Sequence, residues 1–153
     1  MADEAEHPLD AARRERAGVR VAMGRVEQAE AAPASGRVVP WSLSLRERLV
    51  QLLDAFDHHV QVTEAGGGLL EEVVDVAPRL AKRVAQLRSD HVAIRSSIHN
   101  AIAGLQQPDL LDEAGVEQVR DMVLDLLRQI AHHRHLGADL VYQAYNVDIE
   151  ATD

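Results

Sequence analysis

Apolar residues along this chain recur at steps of three and four, the spacing of a helix stripe that faces a core, rather than alternating as they would in strands. Residues 10–32 carry Val19, Met23, Val26 and Ala29 at that spacing among Arg13, Arg14, Arg16, Arg20 and Arg25. They predict an Arg-rich amphipathic helix, read first as an N-terminal helix packed weakly on the rest and second as a basic arm for an acidic partner. Pro33, Gly36 and Pro40 then break the pattern, so 33–40 reads as a linker.

Ser44, followed three residues later by Glu47, has the form of a capping box just before Leu49, Val50, Leu52, Leu53 and Phe56. A helix is therefore predicted from near Leu43 to about Glu64. Gly66, Gly67 and Gly68 interrupt it as a helix terminus or hinge, and Leu69–Val76 forms a short helical piece before Pro78. The next seam runs through Leu80, Val84, Leu87, His91, Ile94, Ile98 and Leu105. The last runs from about Val116 to Tyr145 on Val119, Val123, Leu126, Ile130, His133, Gly137, Leu140 and Ala144. The expected fold is all-α: an antiparallel up-down helix bundle of three long helices plus an N-terminal helix. Residues 1–9 are expected to be a disordered acidic tail, 41–148 a bundle domain able to fold without the first 40 residues, and 149–153 a frayed tail.

Composition narrows the chemistry. A chain of 153 residues suffices for one core, and with one Phe, one Trp and two Tyr that core must be aliphatic. The absence of cysteine removes disulfides, thiolate nucleophiles and Cys-ligated metals, so any metal sits on His, Asp or Glu. A formal charge of −9 opposes nucleic-acid binding. The acidic start and the lack of a long apolar run predict a cytoplasmic protein without a membrane segment. No nucleotide loop, HExxH motif or positioned nucleophile–base pair is visible, so an enzyme is not expected.

Each of the three predicted bundle helices places one histidine on its own apolar seam: His59 beside Phe56 and Thr63, His91 between Leu87 and Ile94, and His133 between Ile130 and Leu140. Residues on antiparallel neighbours lie level when they are equidistant from the connecting turn. The midpoint of His59 and His91 falls at residue 75, beside Ala77 and Pro78, and that of His91 and His133 at residue 112, inside the last connector. Three imidazoles are thus expected to converge, either as core polar groups or as ligands of a transition metal. Glu64, just over one turn beyond His59, and Asp139, six residues beyond His133, are the candidates to complete a nitrogen and oxygen shell suited to iron, zinc or manganese.

From Leu45 to Asp148 the chain resembles the hemerythrin-like (HHE cation-binding) family. The segment His59-Val60-Gln61-Val62-Thr63-Glu64 looks like that family's histidine followed one turn later by acids. Asp90-His91 within Leu87–Ile94 is similar to its acid–histidine pair, and His133 with Asp139, Leu140, Val141 and Tyr142 looks like its last helix. The resemblance implies a four-helix bundle with non-haem iron and a role in handling or sensing iron, oxygen or nitric oxide. Thr63 and Gly137 stand where the family places ligand carboxylates and Arg95 where oxygen-carrying members place a second histidine, so the implied ligand set is reduced: His59, Glu64, His91, His133 and Asp139. Two alternatives stand beside it. One is a metal-free interaction or regulatory bundle, with a protein partner or a homo-oligomer; the other is a bundle that binds haem between two facing histidines.

Overall fold

The computed structural model of the chain describes residues 5–149, and all of the regular structure among them is helical. Helix α1 spans Pro8–Ala31. Proline opens it without losing a helical hydrogen bond, because the first N–H groups have no intrahelical acceptor, and the His7 side chain caps it by accepting from Leu9 N–H. The disordered tail expected over 1–9 is thus overlapped by helix from Pro8; residues 1–4 of it lie outside the described residues. Pro33 ends α1, since the residue before a proline is pushed out of the helical region.

Helix α2 spans Val38–Glu64 and begins about five residues earlier than its capping signal implied. Pro40 sits in its first turn, where proline is tolerated, and Ser44 and Glu47 lie inside the helix, so the linker shrinks to the turn around Gly36. Gly36 adopts φ 67°, the left-handed conformation a side chain disfavours, and so reverses the chain within a few residues. Tertiary contact explains the early start. Trp41 is buried and donates Nε1–H to the Glu30 carbonyl. Arg120 lies 5.3 Å over the indole and donates to the carbonyls of Glu30 and Ala32. The last carbonyls of α1, orphaned by helix geometry, are thereby satisfied by a neighbour on each side.

Helix α3 (Leu69–Val76) is two turns long and leads through a 3₁₀ turn at Pro78–Leu80 into α4 (Ala81–Ala103). A second 3₁₀ turn at Pro108–Leu110 precedes α5 (Glu113–Tyr145), whose N-cap Asp112 accepts from Gly115 N–H at 2.7 Å. The four long helices pack around a closed ring in the order α1, α2, α4, α5. Every neighbouring pair is antiparallel. His58 meets Glu15 near one end of the α1–α2 pair and Trp41 meets Glu30 near the other, while Arg83–Asp139 and Asp90–His133 align α4 with α5.

The N-terminal helix is not peripheral. Val19, Ala22 and Val26 are buried in the same apolar cluster as Leu45, Leu49, Leu52, Ile94, Ile98, Val123 and Ile130. Rather than packing weakly, α1 forms one wall of that cluster, which would face water without it. A second, smaller cluster, built from Ala12, Leu70, Val73, Leu80, Val84, Leu87 and Leu140, occupies the other end under α3. Among the described residues no helix is long and apolar enough to cross a membrane.

Candidate metal centre

The boundary between the two apolar clusters is a layer of histidine. On α2 the seam passes from Phe56 to His59, on α4 from Leu87 through His91 to Ile94, and on α5 from Ile130 through His133 to Leu140. The three rings meet in the middle of the bundle, with centroid separations of 5.2 Å (His59–His91), 5.9 Å (His59–His133) and 4.8 Å (His91–His133). One ring nitrogen from each lies within 4.8 Å of the other two. Phe56 closes the layer on the large-cluster side, its ring 5.7–6.2 Å from all three imidazoles.

Two of the rings are oriented from behind. His91 Nδ1 lies 2.8 Å from Glu64 Oε1, and His133 Nδ1 lies 3.4 Å from Asp90 Oδ2. A carboxylate only accepts, so each neutral ring carries its proton on Nδ1 and keeps Nε2 as the lone-pair donor. His59 differs: its Nδ1 is shielded from solvent and has no hydrogen-bond partner. A buried polar atom left in that state costs on the order of 1–3 kcal/mol, which makes it a poor element of a purely structural core.

Burial holds all three imidazoles in the neutral form. Desolvation, followed by the neighbouring His91 and His133 and then Arg16 and Arg134, depresses His59 well below the ordinary range. Desolvation pushes His133 down to about 4, with His91 adding to the effect and the hydrogen bond to Asp90 opposing it. His91 is lowered by burial against the pull of Glu64. Neutral imidazoles close together offer lone pairs with no proton to displace, the state a metal ion requires.

Beside the rings lies a cavity of about 40 Å³, walled by leucines of α3, α4 and α5 and by Arg16 and Arg134. The two arginines clasp α1 to α5: Arg16 Nη1 donates to the Arg134 carbonyl at 3.1 Å, and Arg134 Nη1 to the Arg16 carbonyl at 2.7 Å. A Cβ added at Gly137 would stand 3.5 Å from Arg16 Nη1, so a guanidinium lies next to the position where the resembled family carries an acid. Thr63, the other such position, turns its hydroxyl back onto the His59 carbonyl at 2.8 Å.

Of the five residues expected from sequence, the structure brings His59, His91 and His133 together and sets Glu64 behind His91. Asp139 is not part of the group. Its side chain is half exposed and pairs with Arg83 at 3.3 Å on the surface, because six residues beyond His133 it points to a different side of α5. Asp90 is the orienting residue missed as a site residue; its signal was its place directly before an inward histidine, about 100° around the helix and so toward a neighbour. His58 points away to Glu15, and His99 and His132 are exposed. Compared with protein-family models, curated proteins and solved structures, the chain has no match.

Proposed function

We propose that this bundle binds one divalent transition-metal ion through His59, His91 and His133, and that it belongs with the hemerythrin-like proteins in handling or sensing iron, oxygen or nitric oxide. The convergence of three neutral imidazoles in one layer, His91 and His133 buried and His59 half-buried, carries the reading. Metal–nitrogen bonds of ~2.0–2.1 Å place tetrahedral donors roughly 3.4 Å apart, so nitrogens already within 4.8 Å need to close by about an ångström, within the reach of ring rotation. His91 and His133 would bind through Nε2, held by Glu64 and Asp90, and His59 through its orphaned Nδ1. The bound ion would supply Lewis-acid or one-electron chemistry at a position beside the cavity.

The reading is for one ion rather than a carboxylate-bridged pair. Glu64 and Asp90 spend an oxygen each on a histidine Nδ1, and Thr63 and Gly137 offer no carboxylate. Iron is preferred by resemblance; the donor set also suits zinc. A cavity of about 40 Å³ speaks against a haem.

Elemental analysis of protein purified without affinity-tag metals, then reconstituted with iron, zinc or manganese, tests the proposal. One ion per chain is expected, with a raised melting temperature, because a ligand that binds only the folded state stabilises it. His91→Ala should abolish both and His99→Ala neither. Absence of metal after reconstitution, or equal binding by the two variants, sinks the reading in favour of a metal-free interaction bundle.

A further inference from the structure

Helix α5 stops at Tyr145. Asn146 takes the left-handed conformation, φ 56°, with its N–H on the Tyr142 carbonyl, an arrangement that ends a helix and turns the chain aside. Asn146, Val147 and Asp148 are exposed, yet Ile149 directly after them is only 1% exposed and belongs to the smaller apolar cluster with Ala12, Leu70 and Leu140. The same side chain forms part of the wall of the histidine cavity. The root of this turn is fastened: Tyr145 Oη donates to Glu72 Oε2 at 2.6 Å, and His7 lies 3.4 Å from the other oxygen of Glu72.

We propose that Ile149 is a tethered plug, seated in the histidine cavity from outside the helical frame, and that withdrawal of the turn at 146–149 opens His91 and His133 to small solutes. The residues that line the cavity fall into two kinds. The leucines and the histidines sit on helices, where moving a side chain out means breaking backbone hydrogen bonds along a turn. Ile149 lies beyond the helix end, so it leaves by rotation about Asn146 with every α5 bond intact. Segments of this kind open locally, at a fraction of the free energy of global unfolding. His91 and His133 are 3% and 5% exposed with the plug in place, so reagents reach them at the rate the turn opens. The proposal rests on the metal reading for what the plug guards, and not for its existence.

The test uses the full metal-free chain and acylation of imidazoles by diethyl pyrocarbonate, read at each histidine by peptide mass spectrometry. Ile149→Ala and Ile149→Asp should raise the rates at His91 and His133 on the order of tenfold, as expected when a locally opening segment no longer closes. His99 and His132, exposed throughout, should keep their rates, Val147→Ala should behave as wild type, and the cooperative melt should persist. Unchanged rates at His91 and His133 overturn the plug, as does acceleration accompanied by loss of the cooperative melt. A chain that takes up no metal yet shows the acceleration sinks the metal assignment alone; normal metal stoichiometry with unchanged rates sinks the plug alone.

Discussion

The two apolar clusters on either side of the histidine layer are built on the same helices but differ in kind. The larger one is ringed by all four long helices and filled by Leu, Val, Ile, Ala, Trp and Phe. The smaller one receives only Ala12 and the partly buried Leu9 from α1, relies on the two-turn α3 for Leu69, Leu70 and Val73, and adjoins a cavity stopped by a residue from outside the helices. A continuous aliphatic seam from one to the other would bury more apolar surface and leave no imidazole desolvated. The sequence interrupts that seam at the same level on three helices, and a coordinated departure from good packing marks a place where something other than stability is served. On the proposed reading the larger cluster is the scaffold, and the histidine layer with the looser end is the working part.

The most damaging way to break this contrast is to remove a wall of the scaffold. A chain beginning at residue 38 lacks Val19, Ala22 and Val26 and exposes the faces of α2 and α5 that they cover. It is expected to lose its cooperative melt in calorimetry. A sharp transition near that of the full chain would show that the cluster is complete without α1.

Acid tests the histidine layer next. The folded state keeps His133 neutral down to about pH 4, whereas in the unfolded chain the ring takes a proton near 6.5. Between those values the unfolded state binds more protons, so stability rises with pH; it is fully present above 6.5 and falls away as pH drops toward 4. The loss from His133 alone is on the order of 3 kcal/mol, with His59 and His91 shifting in the same direction. Denaturant midpoints of the metal-free protein should be nearly flat from pH 8 to 6.5 and fall steeply below, and His133→Leu should flatten that fall. A wild-type curve with no slope there would mean the rings are not buried neutral.

A smaller effect of opposite sign should come from His59→Leu. It removes the buried nitrogen that has no partner, so the metal-free melting temperature should rise by about 2–4 °C, corresponding to about 1 kcal/mol in a chain of this size. The same variant should lose the metal-dependent stabilisation. A lower melting temperature would show that His59 is a well-satisfied core residue.

The smallest effect is expected at Asp139. Its pair with Arg83 is exposed, so Asp139→Asn should change stability by less than ~0.5 kcal/mol and leave metal stoichiometry intact. Loss of metal in that variant would return Asp139 to the ligand set.

The helical class, the breaks at Pro33 and Gly66–Gly68, and the convergence of His59, His91 and His133 could all be read from the amino-acid order. They depend on local quantities: the 3.6-residue period fixes which face of each helix is apolar, and antiparallel connection fixes which residues lie level. What a side chain off the seam meets was decided only by packing. Glu64 lies five residues beyond His59, about 140° around α2, which turns it away from its own histidine and toward His91 of α4. Asp139 is about 240° around α5 from His133 and reaches Arg83 and solvent. The start of α2 was likewise settled by the burial of Trp41 against α1 and Arg120, against the local capping signal at Ser44. Periodicity specifies angles about a helix's own axis, whereas ligand, partner and plug depend on which neighbour occupies each angle, and that is known only once the helices are packed.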